Sequence, residues 1–343
     1  MEEIFMQRCI SLARLGAGNV APNPMVGAVL VNDGRIIGEG YHKTYGEAHA
    51  EVNCIKDAER NGYTELISQS TLYVSLEPCA HFGKTPPCVD LILQNKIPEV
   101  VIGCGDTYTE VNGKGITKLQ QAGVKTRIGV LEKECRELNK RFFTFHEKKR
   151  PYVILKWAET ANGKIGYATG RRLMITDDVS QRLVHKWRSE EAAIMIGTNT
   201  ALMDNPQLTN RYWSGRSPVR MVLDLNLRLS EELNLFKSDA QTIVVNYIKE
   251  EQKGFVRYLK IERDSYILPM IMEACYMNNI QSLFVEGGST LIQSLVDENL
   301  WDEARVFRNK SMNIEGGVPA PRLASGMKVS DEMGWEMIVN DKP

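Results

Sequence analysis

The 343-residue chain is predicted to be an α/β protein in two parts, a three-layer αβα sandwich followed by a second α/β domain. Three observations predict this. Strand-type apolar runs alternate with segments of helical spacing, the pattern of layered α/β folds. Composition changes near residue 150: Cys9, Cys54, Cys79, Cys88, Cys104 and Cys135 precede it, and Trp157, Trp187, Trp213, Trp301 and Trp335 all follow it. At the change, Lys148-Lys149-Arg150 runs into Pro151. Domains over 1–147 and 151–343 are therefore expected, each of ordinary size.

In the first half, apolar residues at Ile4, Phe5, Cys9, Leu12 and Leu15 predict a helix stopped by Gly16. A strand over 26–31 meets the hairpin signal Asn32-Asp33-Gly34 and returns over 35–41. Ala48, Val52, Ile55 and Ala58 share a face of a helix over 48–59, which puts His49 and Glu51 in its first turn. The positive helix end there favours an ionised Glu51. A strand over 71–76, a helix over 87–94 with Cys88 in its first turn, a strand over 100–104, a helix over 115–122, a strand over 124–130 and a closing helix over 135–145 follow.

The second half opens with a strand over 152–158 and a loop over 159–165. Asp177 and Asp178 cap a helix running to about residue 190. Strands are expected over 192–196, 219–225, 242–247, 255–261 and 282–285, with helices over 266–277 and 291–298. Glu286-Gly287-Gly288-Ser289-Thr290 joins the last strand to the last helix. A glycine turn opening a helix is a ready phosphate site, but this one lacks the three spaced glycines of a dinucleotide fingerprint, and an ordinary turn is the competing account.

Composition narrows the function classes. Forty-two basic and 43 acidic residues leave a net charge of −1, no electrostatic footprint for nucleic acid. No apolar run approaches membrane-spanning length. The acidic start lacks the basic n-region of a signal peptide. Seven Cys without a disulfide-type spacing fit reduced thiols in a cytoplasmic protein. A homo-oligomer acting on a small molecule is expected, and the charged strand after Trp301 is a candidate oligomer contact.

The most informative stretch is His49-Ala50-Glu51 with Pro78-Cys79 and Cys88. One imidazole and two thiolates suit zinc and leave a fourth position for water, within reach of Glu51 as proton carrier. A closed structural site with His81 as fourth ligand is the competing arrangement, and it would make the protein a zinc-stapled binding module.

The segments Pro22-Asn23-Pro24, Gly40-Tyr41-His42, His49-Ala50-Glu51 and Glu77-Pro78-Cys79 through Gly83-Lys84-Thr85-Pro86-Pro87-Cys88 resemble the riboflavin-biosynthesis pyrimidine deaminases, a cytidine-deaminase-like fold. Eight residues separate the two Cys, where general cytidine and adenosine deaminases typically have two. The resemblance implies that Glu51 is catalytic, that His49, Cys79 and Cys88 bind zinc, and that Asn23, His42 and Lys84 contact substrate. The loop Asp106-Thr107-Tyr108-Thr109 departs from the family pattern.

In the second half Lys156-x-Ala158, Asn162-Gly163-Lys164, Gly197-x-x-Thr200, Asp204-Asn205-Pro206-x-Leu208-Thr209-x-Arg211 and Glu286-Gly287-Gly288 resemble the riboflavin reductases, whose fold is dihydrofolate-reductase-like. Together the halves resemble the bifunctional deaminase/reductase. By that resemblance Ala158, Met174, Thr200, Asp204, Gly287, Gly288, Ser289, Thr290 and Leu291 line an NADPH site. Arg172, Arg188, Leu208, Arg211 and Glu286 contact substrate, and Lys156 is catalytic. Arg305 to Lys310 departs from the family, which leaves open a deaminase whose second half serves assembly only.

Overall fold

The computed structural model describes residues 2–82, 86–107, 112–169, 171, 173–237, 240–263, 266–323, 328–332 and 334–340, the 328–332 stretch by backbone alone. Lys84 and Arg172 lie outside the described residues. The chain divides into two compact units, Met1–Lys148 and Lys149–Pro343.

The first unit contains a five-stranded sheet. In chain order its elements are α1 (Glu2–Ala13), β1 (Gly27–Asn32), β2 (Arg35–Tyr41), α2 (Ala50–Arg60), β3 (Thr71–Leu76), α3 (Cys88–Gln94), β4 (Glu99–Cys104), α4 (Lys114–Gln121), β5 (Lys125–Ile128), α5 (Glu132–Leu138) and α6 (Lys140–Lys148). The spatial order is β2-β1-β3-β4-β5, antiparallel at the first two pairings and parallel at the rest. The alternation in β1 shows why this is a three-layer sandwich. Ala28 and Leu30 pack with Cys54, Ile55, Val89 and Leu119 of α2, α3 and α4. Val29 and Val31 pack on the opposite face with α1, Cys135 and Phe143. Asp33 and Gly34 take φ of +45° and +75°, the left-handed pair a two-residue hairpin turn needs.

Two departures bear on the site. His49 is the N-cap of α2 instead of its first turn, so its side chain leaves the helix end. The closing helix is two helices, interrupted at Asn139. The Asn139 side chain accepts from Met25 N–H and donates to Met25 O, both at 2.8 Å, a use that periodicity does not reveal.

The second unit contains β6 (Tyr152–Thr160), β7 (Lys164–Gly166), α7 (Asp178–Glu190), β8 (Ala193–Gly197), α8 (Thr198–Asp204), β9 (Val219–Leu223), α9 (Asn234–Lys237), β10 (Thr242–Asn246), β11 (Glu251–Lys253), β12 (Val256–Lys260), α10 (Ile267–Met277), β13 (Ser282–Val285), α11 (Ser289–Asp297), β14 (Glu303–Asn309), β15 (Val318–Pro319), β16 (Lys328–Glu332) and β17 (Trp335–Val339). Ten of the strands form one sheet, β11-β12-β10-β9-β8-β13-β6-β14-β17-β16, and β7 pairs with β15 apart from it. α10 and α11 cover one face through Ile271, Met272, Ile292 and Leu295. α7, α8 and α9 cover the other through Val184, Trp187, Ala201 and Leu235. Asp177 caps α7 as expected, its Oδ1 accepting from Ser180 N–H at 2.8 Å.

The charged strand expected as an oligomer contact is β14, and it lies inside the sheet between β6 and β17. Its charges are neutralised internally. Arg305 pairs with Glu303 at 2.6 Å and lies over the Trp187 ring at 4.7 Å. Among the described residues no helix is long and apolar enough to cross a membrane.

Candidate active sites

In the first unit, the local sequence forces the site together. Gly38 and Gly40 let α2 lie directly on β2: a Cβ on Gly40 would come within 2.3 Å of Cys54 N. That close approach fixes the α2 N-terminus, and His49 and Glu51 with it. Cys79 follows β3 through Pro78, and Cys88 is the first residue of α3. The Nδ1 of His49 lies 3.3 Å from Cys88 Sγ and 3.5 Å from Cys79 Sγ, and the three donor atoms all fall within 4.8 Å of one another.

This triangle fits zinc. Tetrahedral zinc with ordinary Zn–N and Zn–S bonds needs N···S separations of about 3.6 Å. Among the described residues the only such donor cluster is His49, Cys79 and Cys88; His81 is not part of it, so the closed arrangement is not formed there.

The charges are set by mutual contact. Hydrogen bonding from the Cys88 side chain and from His49 lowers the Cys79 pKa to about 4, despite burial, and Cys88 N–H also donates to its sulfur at 3.4 Å. The shared contact and burial push the Cys88 thiol up. Glu51 differs from expectation. It is 3 % exposed, and burial raises its pKa against the lowering effect of His49. Burial thus outweighs these lowering contacts, and the net shift is upward.

The Nδ1 of His42 faces Ala48 O at 3.1 Å, and its Nε2 faces Asn23 Nδ2 at 3.2 Å. A carbonyl only accepts, so Nδ1 carries the proton and Nε2 accepts from Asn23. Burial lowers the His42 pKa, consistent with this neutral ring. The His42 and His49 rings meet edge-on at 5.3 Å. Asn23 and His42 are therefore brought to the metal ligands, and Asn139 holds the Asn23 turn through Met25.

Sequence reasoning missed Glu77. Its buried carboxylate accepts from Asp106 and Gly113 N–H on one oxygen (3.2 and 3.0 Å) and from Gly115 and Ile116 N–H on the other (2.9 and 3.3 Å). It ties the thiolate turn to the loop after β4. An acidic residue directly before Pro78-Cys79 was the available signal.

In the second unit, Arg188 of α7 and Glu286 after β13 form a largely buried two-bond pair at 2.6 and 2.7 Å. Arg188 Nη1 also donates to Thr209 O at 3.2 Å, so all three guanidinium nitrogens hold protein groups. Burial lowers the Lys156 pKa, the carboxylate of Glu286 raises it and Arg188 lowers it. Burial pushes Glu286 up, but Arg188 outweighs it and the net shift is down. Lys156, Arg188 and Glu286 thus form one electrostatic cluster.

Thr200, Gly287, Gly288 and Leu291 form another group. A Cβ on Gly287 would lie 2.8 Å from Thr200 Cγ2, and Gly288 takes φ +79°, with Thr200 Oγ1 3.4 Å from where its Cβ would be. The backbone cradle beside a hydroxyl at the α11 N-terminus fits a phosphorylated cofactor. Ser289 spends its hydroxyl on Pro319 O at 2.7 Å. Thr290 is exposed on α11, Asp204 is exposed at the end of α8, Met174 is half exposed and Ala158 is partly buried on β6. Leu208 is buried, and Arg211 is exposed with Nη1 on Gln207 Oε1 and Thr209 Oγ1 at 2.8 and 3.1 Å.

Comparison with known proteins agrees across both units. The family described as cytidine and deoxycytidylate deaminase zinc-binding region matches residues 1–104, and the RibD C-terminal domain family matches 151–326. Riboflavin biosynthesis protein RibD of Aquifex aeolicus is 37% identical, over 90% of this chain and 86% of its own. The Bacillus amyloliquefaciens protein of that name is 37% identical, over 95% and 88%. A Thermotoga maritima structure described as a diaminohydroxyphosphoribosylaminopyrimidine deaminase/5-amino-6-(5-phosphoribosylamino)uracil reductase superposes with a TM-score of 0.87 at 37% identity, covering 98% of this chain and 97% of that one.

Proposed function

The chain belongs to the RibD family of riboflavin biosynthesis proteins, and from that premise we infer two consecutive activities. The first unit hydrolytically deaminates 2,5-diamino-6-ribosylamino-4(3H)-pyrimidinone 5′-phosphate. The second reduces the ribosyl chain of the product to ribityl with NADPH. Seven free cysteines fit the reducing cytoplasm.

The observation that carries the first activity is the N/S/S triangle with a buried carboxyl two residues from its imidazole. His49, Cys79 and Cys88 would hold zinc, which when bound supplies Lewis acidity that makes water nucleophilic near neutral pH. Glu51 receives the water's proton and delivers protons to the ring nitrogen and the departing ammonia. Burial raises its pKa, which makes the carboxylate a better acceptor for the water's proton. Asn23 and His42 orient the pyrimidine edge, with the neutral His42 ring fixed by Ala48 O. Lys84 meets the ribose phosphate.

In the second unit Thr200, Gly287, Gly288 and Leu291, with Ala158, Met174, Asp204, Ser289 and Thr290, receive NADPH, the hydride source when bound. Lys156 polarises the sugar carbonyl or its imine equivalent, and burial lowers its pKa. Glu286, Leu208, Arg211, Arg172 and Arg188 shape the substrate side, and Arg211 suits a phosphate because its planar fork donates two hydrogen bonds.

A coupled assay tests both activities. Zinc-loaded protein given the diaminopyrimidine phosphate is expected to release ammonia without NADPH and to oxidise NADPH only after deamination. Ammonia release with no NADPH oxidation would refute the second activity, and the absence of both would refute the whole reading.

A further inference from the structure

Residues 205–211, between α8 and β9, carry Leu208 and Arg211. Their backbone is unusual: Asn205 and Leu208 take φ of +40° and +55°, a region that residues other than glycine enter at a cost. Framework side chains hold the segment at alternate residues. Asn234 N–H and Nδ2 donate to Asn205 Oδ1 and O at 2.7 and 2.8 Å. Arg220, wholly buried, donates Nη1 to Gln207 O at 3.3 Å. Arg188 donates to Thr209 O. His185 Nδ1 accepts from Arg211 N–H at 3.0 Å.

His185 and Arg188 lie three residues apart on α7, so one helix face grips both Thr209 and Arg211. The His185 ring is 4 % exposed and meets Tyr212 edge-on at 4.7 Å. Accepting at Nδ1 requires a neutral ring. The charged groups facing it are Arg188 from its own helix, Arg211 from the segment and Glu286 from the turn after β13, and the two cations oppose protonation.

We propose that His185 is a positioning residue of the reductase: its Nδ1 fixes the main chain of Arg211, and thereby aims the Arg211 guanidinium at the phosphorylated substrate. This rests on the reading that Arg211 meets substrate.

The test uses the full chain with NADPH and the deaminated pyrimidine ribose phosphate, reading NADPH oxidation, while ammonia release by the first unit counts active chains. His185→Leu removes the acceptor, and His185→Asn places a carboxamide oxygen near the Nδ1 position. His185→Leu is expected to raise KM for the pyrimidine about fivefold to tenfold, the effect of one lost hydrogen bond, with KM for NADPH little changed. His185→Asn is expected to stay near the wild-type KM. A wild-type KM in His185→Leu overturns the proposal, as does an equal rise in both variants. If His185→Leu no longer shows an unfolding transition, His185→Asn decides alone: a KM near wild type supports the proposal and a fivefold rise overturns it. Arg211→Ala separates the two readings. A wild-type KM there refutes the contact between Arg211 and substrate, and the proposal with it. A raised KM there, with none in His185→Leu, refutes the proposal alone.

Discussion

The two sites are assembled in opposite ways. In the first unit His49 and Cys88 are 39 residues apart, and their donor atoms converge within bonding range of one ion. In the second unit Arg188 and Glu286 are 98 residues apart and neutralise each other with two hydrogen bonds. The first site holds its ligating atoms ready for something other than protein. The second spends most of its charge on its own framework. Removing a group from the first should therefore damage chemistry more than fold, and removing one from the second should damage fold as much as chemistry.

The largest expected effect tests the first half of that contrast. Glu51→Gln removes the proton carrier and keeps His49, Cys79 and Cys88 in place. Deamination is expected to fall about 10³-fold to 10⁴-fold, with zinc content by elemental analysis and NADPH oxidation on supplied product both at wild-type level. Loss of zinc in this variant would show that Glu51 shapes the metal site instead.

The second half is tested by Glu286→Ala, which leaves Arg188 and Lys156 as largely buried cations without their carboxylate. A cost of about 3–5 kcal/mol is expected, read from urea unfolding of the second unit. Arg188→Met combined with Glu286→Leu removes both charges and should cost less than the single change. If the double variant is the less stable, the pair is more than mutual neutralisation.

The same contrast explains what the sequence showed. The metal triangle was legible because its residues are close in the chain and chemically distinctive, and alternating strands and helices disclosed the layers. Asn139 was illegible: apolar spacing continues through it, and its role depends on Met25, 114 residues away. The upward pKa shift of Glu51 was not legible because burial depth is a tertiary property. The burial of the Arg305 charge was not legible because Arg305 finds Glu303 and Trp187 only once the sheet forms. His185 left no signal, since it holds main chain, which any residue type at the partner position supplies.

Asn139 gives a smaller effect at the boundary between fold and chemistry. Asn139→Ala breaks both bonds to Met25 and frees the turn that presents Asn23 to His42. A stability loss of about 2 kcal/mol is expected, with a rise of about tenfold in the deaminase KM and a kcat close to wild type. An unchanged KM despite the lost stability would detach the turn from substrate recognition.

The smallest effect is a pH dependence confined to the second unit. Burial, with Arg188 and Arg211 nearby, holds the His185 pKa down at about 4, against about 6.5 in an unfolded chain. Between these values the unfolded state binds the proton and the folded state does not, so stability rises with pH across the window and is lost as pH falls from 6.5 toward 4. After allowance for solvent screening the loss is about 1–2 kcal/mol. Glu286, whose pKa is lowered in the folded chain, costs stability only as pH falls through the ordinary carboxylate range, at the acid end of this window. Urea midpoints of the second unit at pH 7, 6 and 5 should therefore fall in wild type and flatten in His185→Asn. Equal slopes in the two proteins would mean that the imidazole is not the group being titrated, and that α7 holds Arg211 by some contact other than a neutral ring nitrogen.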